Sequence, residues 1–294
     1  MTAASRAGRP AADAYLSLGA AVACISVGSI LVRLAQAPAL ATAFYRVGLA
    51  TLLVATFAVP ALWRSAPGLS RGQLLALSGS GVALGVHFAT WIASLSFTSV
   101  AASVLLVNTA PLFTLALARV VLGETVSGAV VAAMALALVG ALLIAVGDWD
   151  AGSLKGDALA VAGAVTLSLY HVAGRGLREA LPLRAYILGV WGTAALTIGA
   201  FALVASVPFT GYAPRTVLLF VALAVVPTLL GHGLVNRSLR RLPAPTVGLF
   251  MLGEPVAAGL LAYAIFGERP GGWALAGGAV ILAALAVVAA EPRR

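Results

Sequence analysis

The fold class that the sequence predicts is an all-α membrane protein, with ten transmembrane helices in two inverted five-helix repeats around a central cavity. Three observations predict it. Hydrophobic residues make up 62% of the 294 positions and charged residues only 9%, against about 25% in an ordinary soluble domain. The apolar residues fall in long runs separated by prolines and arginines. The two halves carry the same motif at the same spacing. A chain this apolar cannot cover a soluble surface with polar groups, so lipid must be its solvent. Disorder is excluded by the hydrophobicity, and a disulfide framework by Cys24 being the single cysteine.

A membrane-spanning helix needs roughly 20 apolar residues, and ten runs qualify: Tyr15–Val32, Ala39–Val59, Gln73–Leu95, Val100–Leu122, Val126–Val146, Gly156–Arg175, Ala185–Val207, Thr216–Asn236, Thr246–Phe266 and Trp273–Ala289. Pro38, Pro60, Pro67, Pro182, Pro208, Pro214, Pro243 and Pro270 fall at their ends or in the loops. The runs lack the alternation of a membrane barrel, so helices are expected. The first run follows Arg6 and Arg9 as a signal peptide would, but it is too long for an h-region and nine runs follow it. The expected organisation is a cytoplasmic tail over 1–14, a first repeat over 15–150, a second over 151–290, and a cytoplasmic tail over 291–294.

Orientation follows from the cations. With the N-terminus inside, thirteen Lys/Arg residues fall on the cytoplasmic side: Arg6, Arg9, Arg64, Arg71, Arg119, Arg175, Arg178, Arg184, Arg237, Arg240, Arg241, Arg293 and Arg294. Four fall outside: Arg33, Lys155, Arg215 and Arg269, together with Asp148, Asp150 and Asp157. This is the positive-inside pattern, and the predicted location is a bacterial inner membrane. Trp149 and Trp273 suit the outer interface and Trp63 the inner one. The net charge of +9 lies in these gaps and not on one aromatic-laced face, so nucleic acid is not an expected partner.

The repeat is carried by two span endings. Ten residues separate Pro111 from Leu122-Gly123-Glu124, and ten separate Pro255 from Phe266-Gly267-Glu268; the offset is 144, and Gly128 and Gly272 keep it. Five spans per half is an odd number, so the second copy runs upside down, as in secondary transporters whose halves rock around a midplane site. Interrupted helices at corresponding places mark such a site. Pro111 and Pro255 lie roughly midway through their spans and are expected to kink them as hinges, freeing carbonyls near Val107 and Met251.

These paired endings, the ten spans and Arg46 early in the second span resemble the drug/metabolite transporter superfamily, EamA type. The resemblance covers nearly the whole chain, and within the superfamily the pattern is similar to YddG-like aromatic amino acid exporters. It implies a cavity lined by the first, third, fourth, sixth, eighth and ninth spans, with the fifth and tenth peripheral.

Polar residues inside the spans are the candidate substrate contacts, because facing lipid would be expensive. His87, Thr90, Trp91 and Ser94 share one face of the third span; Thr228, His232 and Asn236 share one face of the eighth. Interhelical contact is the competing reading. Tyr170 and His171 on the sixth span, Ser26 and Ser29 on the first, and Asn108 one turn before Pro111 join them. Glu254 is the acidic residue well inside a span, suited to proton coupling or to a substrate amine, or else to a structural role as partner of Arg46 or of unwound backbone beside Pro255. Arg46 is expected to be a structural intramembrane charge, since the resemblance keeps the second span off the cavity.

Other chemistry is thin. Three histidines and Cys24 show no metal spacing, no P-loop occurs, and Gly79-Ser80-Gly81 with Gly85 misses the dinucleotide pattern. Leu77-Ser78-Gly79 is a weak sign of an intramembrane serine protease. No enzyme activity and no cofactor are expected. The expected function is export of amino acids, aromatic or otherwise apolar, or of related small metabolites, by a monomer in contact with membrane lipid. The alternatives are a multidrug or nucleotide-sugar carrier and, in a different class, a receptor, scaffold or channel.

Overall fold

The computed structural model describes residues 4–94, 96–97, 103, 106–146, 154–178, 180–267 and 271–290. Among the described residues every regular element is a helix: α1 (Ala4–Ala35), α2 (Ala39–Ser65), α3 (Arg71–Ser94), α4 (Ala110–Leu122), α5 (Gly128–Val146), α6 (Leu154–Leu177), α7 (Leu183–Val204), α8 (Pro214–Ser238), α9 (Ala244–Met251), α10 (Glu254–Phe266) and α11 (Gly272–Ala290). Leu95, the start of the fourth expected span, Asp148, Trp149, Asp150, Glu268, Arg269, Pro270 and residues 291–294 lie outside the described residues.

Seven helical stretches are long and apolar enough to cross a membrane: Asp13–Ala35, Ala39–Gly68, Arg71–Ser94, Leu154–Leu177, Leu183–Val204, Pro214–Ser238 and Ala244–Ile265. Ala110–Leu122, Gly128–Ile144 and Gly272–Val288 are shorter apolar helices. Large apolar side chains stay on the outside, among them Leu75, Val120, Leu196 and Leu218, as lipid solvation requires. Trp63 and Trp273 are exposed near the ends of their helices. The first helix begins at Ala4, so most of the stretch expected as a tail is helical; alanine, the best helix former, recurs through it.

Two elements depart from plain spans. The ninth expected span is two helices, α9 and α10, parted at Leu252 and Gly253. α8 contains a π-helical segment, Ala224–His232, with Pro227 inside it. Pro227 lacks an N–H and cannot continue an i→i−4 ladder, and the Thr228 hydroxyl bonds the Leu223 carbonyl five residues back at 2.8 Å.

Close helix approach comes from small residues, which let backbones meet where no hydrophobic drive separates helix from lipid. On α3, Gly81 and Gly85 lie one turn apart against α7: a Cβ on Gly81 would sit 2.5 Å from Thr193 Cβ, and one on Gly85 3.0 Å from the Ala194 carbonyl oxygen. α5 and α11 pack on each other, with Gly140 and Gly277 at their crossing, where a Cβ on Gly140 would meet the Gly277 carbonyl oxygen at 2.7 Å. The buried apolar residues form two main clusters. One joins α2, α3 and α7 around Phe88, Tyr186 and Trp191. The other joins α1, α5, α9 and α11 around Leu18, Met134 and Leu249.

Candidate functional site

The paired prolines do not kink continuous helices, as the sequence suggested. Each occupies the first turn of a new helix: Pro111 in α4 and Pro255 in α10. A first-turn N–H has no intrahelical partner, so proline costs nothing there. The break lies just before. Thr109 N–H reaches to the Leu106 carbonyl (3.1 Å), and Gly253 N–H to the Phe250 carbonyl (3.0 Å), both tight i→i−3 bonds at the same offset. The carbonyls at the two breaks are held alike. Ser168 donates to the Ala110 carbonyl at 2.7 Å and Ser26 to the Glu254 carbonyl at 3.2 Å; Ala110 and Glu254 stand at the same offset as the prolines.

The Gly-Glu endings also acquire a physical meaning. Gly123 (φ 65°) and Gly267 (φ 70°) stop α4 and α10 in the left-handed region, where a Cβ would be strained. Past Gly123 the chain turns back, and Glu124 is doubly held. Its Oε1 accepts from Arg175 Nε at 2.6 Å, and its Oε2 from the Ala244 N–H at 3.1 Å. That N–H is an orphan donor at the start of α9, where the helix dipole favours a carboxylate. Arg175 also donates to the Leu239 and Arg240 carbonyls at 3.2 Å. One carboxylate thus ties α4, α6 and the α8–α9 loop together.

Both breaks open onto one cavity of about 100 Å³. Its wall is drawn from α1 (Ile25, Gly28, Ser29), α2 (Arg46), α3 (His87, Phe88, Trp91), α6 (Leu167, His171) and α8 (His232, Val235). The two broken spans supply Val107, Asn108, Ala110, Pro111, Gly248, Met251, Glu254, Pro255 and Ala258. α5 and α11 contribute nothing to it among the described residues.

Of the residues singled out from the sequence, Ser29, His87, Trp91, Asn108, His171, His232, Glu254, Pro111 and Pro255 are on this wall. Ser26, Thr90, Ser94, Tyr170, Thr228 and Asn236 are not. Thr90 turns its hydroxyl back to the Val86 carbonyl at 2.8 Å, beside Gly163 of α6. Tyr170 is fully buried and accepts from Asn236 Nδ2 at 2.6 Å. Thr228 accepts from Arg46 Nε at 3.2 Å. Within α8 the three residues divide: His232 reaches the cavity, while Thr228 is held by Arg46 of α2 and Asn236 by Tyr170 of α6.

Arg46 is a further correction. It reaches the cavity from α2, a helix expected to stay off it. It is buried, with its guanidinium carbon 4.2 Å from the centre of the Phe88 ring. Neither its Nη groups nor the Glu254 carboxylate has a hydrogen bond or ion pair among the described residues. Two opposite charges, coupled electrostatically, therefore face one space, with the Nη groups and the carboxylate still open to hydrogen bonds. His171, offered by the sequence together with Tyr170, is the one of the two that reaches the cavity. The buried Trp91 Nε1, His171 Nδ1 and His232 Nδ1 have no hydrogen-bond partner among the described residues, and buried polar atoms rarely stay so. His87 Nδ1 lies 3.0 Å from the Gly163 carbonyl oxygen, and its ring is parallel to Trp91 with centroids 6.0 Å apart. Among the described residues no three His, Cys, Asp or Glu side chains are grouped to hold a metal.

Comparison with known proteins places this arrangement. No curated protein matches the chain. One crystal structure, described only as that of a protein, is similar in fold: TM-score 0.74 at 21% identity, over 94% of this chain and 96% of that one. The model of the EamA-like transporter family matches twice, over residues 14–146 and 154–290. The chain is thus a multi-pass membrane protein, and it belongs to the EamA-like transporter family, whose members move small molecules across membranes.

Proposed function

We propose that this transporter exports amino acids with apolar side chains, or closely related zwitterionic metabolites, across a bacterial inner membrane by alternating access. One observation carries the reading: Arg46 and Glu254, oppositely charged and coupled to each other electrostatically, line the same cavity, and among the described residues neither the Nη groups nor the carboxylate has a hydrogen bond or close ion pair. A buried charge is retained only against a counter-charge or hydrogen bonds. The carboxylate of a zwitterion satisfies the guanidinium fork, its ammonium satisfies Glu254, and the cargo adds no net charge. Phe88, Trp91, Ile25 and Met251 are the apolar surroundings for its side chain. The cavity holds about three waters at roughly 30 Å³ each, so an aromatic amino acid requires it to widen. A nucleotide sugar fits poorly, because Arg46 is the sole Lys or Arg in the wall among the described residues.

Ten spans in two inverted repeats are the proposed scaffold. The two family matches, the shared offset of 144 and the two alike helix breaks support it. The basic loops support cytoplasmic termini, and enclosure of the cavity by one chain supports a working monomer. The half-helices α4 and α10 are the proposed moving parts.

Proteoliposome counterflow tests the function. A panel of amino acids, their amines and their carboxylic acids is offered with and without a proton gradient. Exchange of zwitterions ahead of both single-charge analogues is expected. Exchange of amines alone, or no exchange of any amino acid, would overturn the substrate class.

A further inference from the structure

A second cavity lies where three spanning segments end. Arg178 follows directly on the segment Leu154–Leu177; Pro182 and Leu183 stand at the start of Leu183–Val204; and Arg237 falls in the last turn of Pro214–Ser238. With Arg240 and Arg241 these residues line an open pocket of about 680 Å³. Four guanidinium groups share it, and no carboxylate is in its wall among the described residues.

The arginines divide into a base and a rim. Arg178 is 3% exposed and donates to the carbonyls of Asn236 (3.3 Å) and Leu181. It closes one carbonyl in the last turn of α8 and one in the loop after α6, and leaves a fixed positive charge beneath the pocket. Burial lowers its pKa from the usual guanidinium value; Tyr186 raises it in part, and Arg240 lowers it again. Arg237 and Arg240 are exposed, and their side chains have no hydrogen bond or ion pair among the described residues. The N-terminus of α7, a 22-residue helix, opens at the same place and adds the positive end of its dipole. Mutually repelling cations around one concavity are stabilised by an anion, and the planar fork of arginine matches phosphate oxygens in pairs.

We propose that this pocket binds the phosphate of an anionic lipid headgroup. Its depth selects lipid over soluble phosphate. Every lining residue lies at, or within a few positions of, the end of a spanning segment, which is the level of the headgroup layer. A basic pocket between helix ends at that level is how such headgroups are held. Pro182 and Leu183 provide an apolar edge toward the acyl region. The general excess of cations on this face sets orientation, but orientation alone does not require four of them to converge on one pocket.

The test uses purified full-length protein in a neutral detergent, with thermal unfolding and native mass spectrometry as readouts. The probes are short-chain phosphatidylglycerol, short-chain phosphatidylcholine and inorganic phosphate. Phosphatidylglycerol is expected to raise the melting temperature and to remain bound in the gas phase. Phosphatidylcholine and phosphate should do neither, and added salt should weaken the effect. Arg237→Gln with Arg240→Gln should weaken phosphatidylglycerol binding about thirtyfold, while Arg215→Gln at the opposite end of α8 leaves it unchanged. Equal binding of the two lipids, equal protection by phosphate alone, or insensitivity to both salt and the double substitution would overturn the proposal. The salt series on the unmodified protein decides the matter even if the double variant folds poorly.

Discussion

Replacing Arg46 with Gln isolates the carboxylate half of the proposed substrate site. Arg46 Nε is spent on Thr228 at 3.2 Å and the Phe88 ring lies 4.2 Å beneath the guanidinium carbon. Those two contacts fix the plane of the fork and leave both Nη groups for a bidentate carboxylate. A hydrogen bond to a charged group contributes about 1.5–3 kcal/mol, so losing the fork should weaken amino-acid binding roughly tenfold to a hundredfold. The informative comparison is with the amine that lacks the carboxylate, measured by titration calorimetry on detergent-solubilised protein. In the wild type the amine should bind weaker than the amino acid by that same factor. In Arg46→Gln the two ligands should bind alike, since nothing remains to tell them apart. Arg46→Lys keeps the charge but loses the fork and the Thr228 contact, so it should fall between. Thermal melts of each variant separate binding from folding. The reasoning is refuted if Arg46→Gln weakens the amine and the amino acid by the same factor, because the side chain then acts on the shape of the cavity and not on the carboxylate.

The remaining expectations concern packing and motion. Gly81→Ala puts a Cβ 2.5 Å from Thr193 Cβ and 2.7 Å from the Val190 carbonyl oxygen; because one contact is backbone, α7 must shift, at about 1–3 kcal/mol. Gly79→Ala, with nothing within 4 Å, should melt no lower than wild type, and equal melts for both variants would contradict the helix contact. Pro111→Ala and Pro255→Ala each restore an N–H at a break, favouring a continuous helix. Transport should slow by more than binding weakens, and thiol labelling from the two membrane faces should shift in opposite directions; unchanged rates and labelling would leave the prolines as packing features. Glu124→Gln removes the charge that ties Arg175 to the start of α9, with Glu124 and Arg175 only 15% and 20% exposed. Labelling on that face should rise, by an equilibrium shift of about 1–3 kcal/mol, and an unaltered pattern would mean the tie does not hold that face closed.

The membrane class, the apolar stretches and both motif pairs were legible in the sequence because each rests on a local property. Hydropathy sums over neighbours along the chain, a proline removes its own N–H, and a glycine permits a left-handed φ wherever it stands. The positions of Pro111, Pro255, Gly123 and Gly267 therefore pointed correctly to breaks and endings. The form of the break was not legible, since a proline is equally at home inside a kink or in a first turn, and neighbours such as Ser168 and Ser26 decide which carbonyls can be left open.

The wall of the cavity was decided by tertiary structure. Inside a bundle a polar side chain avoids lipid equally well by facing a cavity or a neighbouring helix, so the pattern along one helix cannot separate the two. Thr90 and Trp91 are adjacent, yet one bonds its own helix and the other lines the cavity. Tyr170 and His171 are divided in the same way. Helix azimuth makes the choice, and it is set by contacts between distant segments, such as Gly81 and Gly85 against α7. Arg46 shows the same division. Its sequence position marked a charge that must be compensated; only the approach of α2 to α3 and α8 placed that charge in the same cavity as Glu254.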